Sequence, residues 1–171
     1  MLRYIIIILF LQISISGSAQ SKDSITVYYF LGEDCKICQY YTPTMIDLYE
    51  RYRSENLSFV GLFPNHFSSQ DSIDVFKKKY DIPFALKKEF FLTKTTLFDV
   101  KITPEVVVYN ESRKEILYKG RIDNSYYKLG RRRQVITSRE LDDVLAMVVD
   151  GEQVDVPYAK PIGCFISFRN R

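Results

Sequence analysis

A pair of cysteines, Cys35 and Cys38, follows an almost continuously apolar and aromatic run at residues 25–31. Such a run predicts a β-strand buried on both faces, and the apolar spacing after Cys38 predicts a helix. A cysteine in the first turn of a helix lies near free backbone N–H groups and the positive end of the helix dipole, which favour the nucleophilic thiolate. The i, i+3 spacing puts both thiols on one helical face, where they can form a disulfide. The sequence therefore predicts an activated thiol with a second thiol beside it.

Zinc knuckles, structural disulfides and redox dithiols all use a C-x-x-C pair. A zinc site needs four ligands, usually from two such pairs or from one pair with histidines. The chain has three cysteines and one histidine, and His66 and Cys164 show no knuckle spacing. We therefore expect a redox dithiol, with a purely structural disulfide and a zinc site as the alternatives. No metal and no organic cofactor is expected.

The size and charge of the chain limit the number of domains it can form and the partners it can bind. It has 171 residues, of which 46% are hydrophobic, enough for one domain with a full core. The net charge of +3 is too small to indicate a nucleic-acid partner. We expect the one dense basic run, residues 131–133, to be a solvated loop.

The N-terminus has the three parts of a secretory signal peptide. Arg3 supplies the charged region, residues 5–11 an apolar stretch too short to span a bilayer, and residues 17–19 the small side chains of a cleavage site. We predict that residues 1–19 are the signal peptide, residues 20–156 one domain, and residues 157–171 an extension that packs on it. The alternative is an uncleaved membrane anchor. Either way the domain is expected outside the cytoplasm, periplasmic or secreted, where disulfides persist.

The rest of the pattern predicts the element order β-α-β-α followed by β-β-α. The first half requires parallel strands with crossover helices, and the second half is a hairpin followed by a helix. This order predicts an α/β fold with a mixed central sheet and helices on both sides. The C-x-x-C pair then lies at the carboxyl end of the first strand, where open α/β sheets place their sites.

Finer features are also predicted from local patterns. Ser68 with Asp71, and Thr137 with Glu140, resemble capping boxes that begin two helices. Residues 124–135 are expected to form a polar loop.

The third cysteine, Cys164, lies in a strand-like run, residues 162–168. Alternation puts it on one face with Ile162, Ile166 and Phe168. A thiol buried among apolar side chains stays protonated and reacts slowly. We therefore expect Cys164 to be buried and inert. The alternatives are a third redox thiol and an intermolecular bridge.

Several motifs together resemble the thioredoxin fold. They are the strand, the C-x-x-C pair, a proline eight residues after Cys35, and a later Thr103-Pro104 before another strand. The blocks T-P-E-V-V-V-Y-N, Y-K-G-R-I-D-N and G-C-F-I are similar to those of secreted bacterial redoxin-domain proteins, the AhpC/TSA- and TlpA-like branch. The resemblance covers about residues 25–166. The extra length at residues 68–100 implies an insertion between the second strand and the cis-proline strand.

The resemblance implies a role for each motif residue. Cys35 is the nucleophile and Cys38 the resolving thiol. Pro104 is a cis-proline that lies against the dithiol, and Thr103 presents its backbone to the substrate.

Two positions depart from the pattern that this resemblance implies. The tryptophan that usually precedes the first cysteine is Asp34, and the usual buried carboxylate of the first strand is Tyr29. Proton transfer therefore needs another group, and Glu33 and Asp34 are the candidates. Their charges would also raise the pKa of the nearby thiol, against the effect of the helix dipole.

We therefore predict a thiol-disulfide oxidoreductase that exchanges disulfides with extracytoplasmic proteins. Its expected partners are disulfide-containing protein substrates and a redox partner that recycles the dithiol, without nucleic acid or stable membrane insertion. One alternative is a thiol peroxidase, although its T-x-x-C setting has Gly32 in place of threonine here. The other is a non-catalytic thioredoxin-fold binding module with a structural disulfide.

Overall fold

The computed structural model describes residues 23–168, so the predicted signal peptide lies outside the described residues. Nine strands and four helices are described. In chain order they are β1 (Ile25–Phe30), α1 (Lys36–Tyr52), β2 (Leu57–Phe63), α2 (Gln70–Lys79), β3 (Ala85–Lys88), α3 (Thr93–Leu97), β4 (Ile102–Thr103), β5 (Glu105–Asn110), β6 (Glu115–Gly120), β7 (Tyr126–Lys128), β8 (Arg131–Arg132), α4 (Glu140–Asp150) and β9 (Cys164–Phe165). Within residues 23–168, no helix combines the length and apolar character needed to cross a membrane.

The central sheet has five strands in the order β3-β2-β1-β5-β6. β1 pairs parallel with β2 and β2 with β3, whereas β5 pairs antiparallel with both β1 and β6. The predicted mixed sheet flanked by helices is thus confirmed. The segment between β2 and β4 holds α2, β3 and α3. That it is an insertion relative to similar folds stays a prediction.

The two faces of the sheet bury two separate cores. The larger core receives Val27 and Tyr29 from β1 and is covered by apolar side chains of α1, α2 and α4. The smaller core receives Tyr28 and Phe30 from β1, and Phe98 and Val100 of the α3–β4 segment cover it. Because β1 is buried on both faces, its sequence is continuously apolar rather than alternating.

Pro43 lies inside α1, where it lacks the N–H that would bond to the carbonyl of Gln39. The hydroxyl of Thr42 donates to that carbonyl at 2.9 Å instead. The helix therefore continues through the proline without leaving this carbonyl unpaired.

Both predicted capping boxes are wrong in detail. The N-cap of α2 is Ser69, whose side chain accepts from the backbone N–H of Ser72, while the Ser68 hydroxyl donates to Glu33. The N-cap of α4 is Arg139, which makes no side-chain cap, and the Thr137 hydroxyl, two residues earlier, accepts a hydrogen bond from the Asn124 amide. In both cases the hydroxyl that the local pattern assigned to a helix cap is hydrogen-bonded instead to a side chain from another segment.

The predicted loop at residues 124–135 contains a short antiparallel hairpin, β7–β8. Gly130 turns the chain between these strands at φ +69°, a conformation that favours glycine. Two of the three consecutive arginines form β8, and both are exposed.

Gly61 in β2 permits a close contact between strands. A Cβ at this position would overlap the Leu86 side chain and lie 3.2 Å from Cδ1 of Leu31. We expect Gly61→Ala to lower the free energy of unfolding by roughly 1–3 kcal/mol, because a packed core resists added volume. Urea unfolding measures this, with the exposed Ser58→Ala of the same strand as the control. Equal midpoints for the two variants would contradict the expectation.

Candidate active site

The two cysteines of the C-x-x-C pair lie where β1 turns into α1. Cys35 is the N-cap residue of α1, and Cys38 lies in its first turn. Cys35 is 5% exposed and Cys38 is fully buried, so only the first can be reached from outside. A bond from the Cys35 N–H to the Gly32 carbonyl, 3.1 Å long, closes the turn that precedes the helix.

The environment of Cys35 favours its thiolate. A hydrogen bond from the Cys38 thiol is the largest effect, and it lowers the pKa of Cys35 to about 5. Burial opposes this shift, whereas hydrogen bonds from the Cys164 thiol and from the N–H groups of Cys38 and Ile37 support it. Cys35 is therefore ionised at neutral pH, as a nucleophile requires.

The environment of Cys38 has the opposite effect. Burial raises the pKa of Cys38 well above its usual value, and the neighbouring Cys35 raises it further. The N–H of Gly32 donates to the Cys38 Sγ at 3.4 Å, which only partly offsets the burial. At neutral pH the pair therefore consists of one thiolate and one thiol.

The peptide bond between Thr103 and Pro104 is cis, as the resemblance implied. Thr103 is fully buried, and its carbonyl oxygen lies 3.4 Å from the Cys35 Sγ. The cis-proline segment and the dithiol, far apart in the sequence, therefore meet at one place in the fold.

Solved structures share this architecture. An uncharacterized conserved protein from Geobacillus kaustophilus is similar with a TM-score of 0.75 and 19% identity, over 88% of this chain and 80% of that one. A hypothetical protein from Sinorhizobium meliloti 1021 has a TM-score of 0.74 and 18% identity, over 86% and 81%. A thioredoxin-like protein from Aeropyrum pernix has a TM-score of 0.50 and 16% identity, over 59% and 71%. The chain has a thioredoxin-like fold. No protein-family model and no curated protein matches its sequence.

Within residues 23–168, neither acidic residue next to the dithiol is hydrogen-bonded to a thiol. The Glu33 carboxylate accepts hydrogen bonds from the hydroxyls of Ser68, at 2.7 Å, and Ser72, at 2.9 Å. Asp34 is exposed. Tyr29, where the resemblance implied a carboxylate, is fully buried, and within residues 23–168 its hydroxyl has no hydrogen-bond partner. Proton transfer by Glu33 or Asp34 stays a prediction.

The expectation that Cys164 is buried is wrong, whereas its inertness stays a prediction. Cys164 is exposed, and its Sγ lies 2.8 Å from the Sγ of Cys35. The alternation holds only in part: Ile166 is buried in the smaller core, whereas Phe168 is 42% exposed. The pattern identified one face of the strand, but it could not show that Cys164 on this face meets the dithiol.

The C-terminal segment reaches the site as a strand. β9 pairs antiparallel with β4, with Cys164 opposite Thr103 and Phe165 opposite Ile102. The one available sequence signal was Gly163, since a glycine directly before a cysteine allows close backbone approach. A Cβ on Gly163 would overlap the carbonyl oxygen of Thr103.

Proposed function

We propose that the protein is a thiol-disulfide oxidoreductase that exchanges disulfides with extracytoplasmic protein substrates through Cys35 and Cys38. The observation that supports this best is the contrast between the two thiols. The pKa of Cys35 is lowered to about 5, whereas that of the buried Cys38, one turn away, is raised well above its usual value. An ionised nucleophile beside a protonated resolving thiol is the arrangement that disulfide exchange requires.

The proposed reaction has two steps that balance in atoms and electrons. The Cys35 thiolate attacks one sulfur of a substrate disulfide, forming a mixed disulfide, and the other substrate sulfur leaves as a thiolate. Cys38 then loses its proton and attacks the Cys35 Sγ, which releases the second substrate thiolate and forms the Cys35–Cys38 disulfide. Two electrons pass to the substrate, and the reverse sequence oxidises a substrate dithiol.

The order of these steps follows from how the two pKa values depend on each other. In the resting dithiol, the charge of Cys35 and the hydrogen bond that it accepts both raise the pKa of Cys38, in addition to burial. In the mixed disulfide Cys35 carries no charge, so both contributions disappear and the Cys38 pKa falls. Cys38 is thus activated only after the first bond has formed.

We propose that Thr103 and Pro104 position the substrate chain. The support is that the backbone of Thr103 lies beside the Cys35 Sγ and already pairs with an extended strand, β9. A substrate segment held in the same way would bring its disulfide to Cys35. The extracytoplasmic location rests on the predicted signal peptide, and a redox partner there would recycle the dithiol.

Reduction of insulin tests the proposal. The wild-type chain, supplied with dithiothreitol, is expected to accelerate precipitation of the insulin B chain. Cys35→Ser is expected to lose this acceleration, because no thiolate remains to attack. Cys38→Ser is expected to accumulate a mixed disulfide with insulin on non-reducing gels, because attack survives and resolution does not.

Equal trapping by Cys35→Ser and Cys38→Ser would contradict the assigned roles. Consumption of hydrogen peroxide without insulin reduction would favour the thiol peroxidase instead. Lys36→Ala is the matched control, because its exposed side chain lies between the two cysteines on the same helical turn.

A further inference from the structure

The C-terminal segment, residues 162–168, carries the third cysteine to the dithiol. We propose that Cys164 is a third redox residue, and that Cys35 exchanges its disulfide between Cys38 and Cys164. The inference rests on the proposed function, because it assigns the same nucleophile, Cys35, a second and internal partner.

The segment occupies the position proposed for a substrate strand. Cys164 pairs with Thr103, the residue directly before the cis-proline, in an antiparallel register. Its Sγ lies 2.8 Å from the Sγ of Cys35, so the two sulfurs are in direct contact. A cysteine on an extended strand beside Thr103 is the arrangement expected of a substrate in a mixed disulfide.

Hydrogen bonds hold the segment on both sides. The Ile166 N–H donates to the Lys101 carbonyl at 3.0 Å, and the Ile166 side chain is buried in the smaller core. On the other side, the Ser167 N–H donates to the Asn65 side-chain oxygen at 2.9 Å, and the His66 N–H donates to the Ser167 carbonyl at 3.0 Å. The position of Cys164 is therefore set by contacts with two separate parts of the domain.

Gly163 makes the close approach possible. Because a Cβ there would overlap the Thr103 carbonyl oxygen, only glycine allows β9 to pair with β4 at this distance. The contact between the two sulfurs therefore depends on a residue that itself takes no part in the chemistry.

The protonation states agree with an exchange role. Partial burial of its sulfur and the hydrogen bond to Cys35 raise the pKa of Cys164 to about 12, so it is a thiol while Cys35 is a thiolate. Once Cys35 is bonded to Cys38, it carries no charge, and that part of the shift disappears. Cys164 is therefore easier to ionise in the oxidised protein than in the reduced one.

The proposed step conserves electrons. In the oxidised protein Cys164 loses its proton to solvent, and its thiolate attacks the Sγ of Cys35. The Cys35–Cys164 bond forms, the Cys35–Cys38 bond breaks, and Cys38 leaves as a thiolate that takes up a proton. Thiol-disulfide exchange of this kind needs no added oxidant. The product keeps Cys35 covered, so a protein substrate must displace the segment to reach it.

Peptide mapping of the oxidised wild-type chain tests the exchange. The protein is oxidised, quenched in acid, alkylated and digested, and its disulfide-linked peptides are identified by mass spectrometry. Both the Cys35–Cys38 and the Cys35–Cys164 links are expected. A map with the Cys35–Cys38 link alone, and Cys164 always alkylated, would overturn the proposal.

The Cys38→Ser variant tests the new bond in isolation. Reduced protein is mixed with one equivalent of 4,4′-dithiodipyridine, and the released pyridinethione is counted. Two pyridinethione molecules are expected per chain. Attack by Cys35 releases the first, and displacement by Cys164 releases the second. The rate of the second release is expected to be independent of protein concentration, because it is intramolecular. The Cys38→Ser/Cys164→Ser double variant is expected to release one and to stay derivatised. Release of one by both proteins would overturn the proposal.

Gly163→Ala, placed in the Cys38→Ser background, keeps Cys35 and Cys164 but disturbs the pairing of β9. We expect the second release to slow by about tenfold or more, because a small displacement of a reacting group has an effect of that size. Phe165→Ala in the same background is the matched control, since its side chain is 78% exposed on the same strand. Equal rates for the two variants would overturn the role assigned to the strand. Circular dichroism establishes that each variant is folded.

These measurements separate the inference from the proposed function. None of them uses a protein substrate, so the Cys35–Cys164 link can form even if insulin reduction fails. Conversely, insulin reduction without a Cys35–Cys164 link would support the oxidoreductase proposal and contradict the redox role of Cys164.

Discussion

The Cys35 thiol is expected to titrate with a midpoint near pH 5, instead of its ordinary value of 9.0. The first cause is the hydrogen bond from Cys38, which outweighs the opposing effect of burial. At pH 7 such a shift raises the thiolate fraction by about a hundredfold over that of an unperturbed cysteine. The rate of alkylation by iodoacetamide should therefore rise about tenfold per pH unit below the midpoint and level off above it.

The measurement is an alkylation series across pH, with the labelled peptide identified by mass spectrometry. Only Cys35 is expected to label in the acid range, because the pKa values of Cys38 and Cys164 are both raised. Cys38→Ala and Cys164→Ala each remove one hydrogen-bond donor to the thiolate, so each should move the midpoint upward, the former by more. A midpoint near 9 in the wild type, or none of these changes in the variants, would contradict the assignment of Cys35 as nucleophile.

The parts of the fold that depend on local composition were predictable. β1 is buried on both faces, so its sequence is a continuous apolar run, and its bounds agree with the prediction to within a residue. The end of α4 was predictable for the same reason, since Gly151 adopts φ +71°, which favours glycine. At these positions the local backbone conformation and the tertiary packing favour the same residue types, so the sequence pattern alone predicts the structure.

The contacts between distant segments were not predictable in this way. Ser68 has the composition of a helix cap, but its hydroxyl binds Glu33, 35 residues earlier in the chain. Cys164 lies on one face of a strand-like run, but which part of the fold this face meets depends on where the segment crosses the domain. The C-x-x-C spacing alone indicates the dithiol. The third thiol lies beside it only because β9 pairs with β4.

Glu105 is expected to contribute less to the free energy of unfolding as the pH rises from about 4.5 to about 7. Its carboxyl is 3% exposed, directly after Pro104, and burial raises its pKa from the ordinary 4.5 to about 7. The ammonium group of Lys119, 3.8 Å away, and the N–H of Lys101 oppose this shift, whereas Asp99 adds to it.

Between the two pKa values the folded chain binds more protons at Glu105 than the unfolded chain does. The stability that this group contributes is therefore complete below about pH 4.5 and is lost as the pH rises through about 7, a change of about 3 kcal/mol at most. Glu105→Gln removes the titration but keeps the shape and polarity of the side chain. We expect the stability of Glu105→Gln relative to the wild type to rise across this range, measured by urea unfolding at a series of pH values.

A difference between Glu105→Gln and the wild type that stays constant with pH would contradict the prediction. The exposed Glu152→Gln is the matched control and should show no such trend. Comparison of variant with wild type is essential, because Cys35 acts in the opposite direction. Its pKa is lowered in the folded state, so it makes the reduced chain more stable as the pH rises between about 5 and 9. Since both proteins contain Cys35, its contribution cancels in the difference, and what remains belongs to the carboxyl group beside the cis-proline.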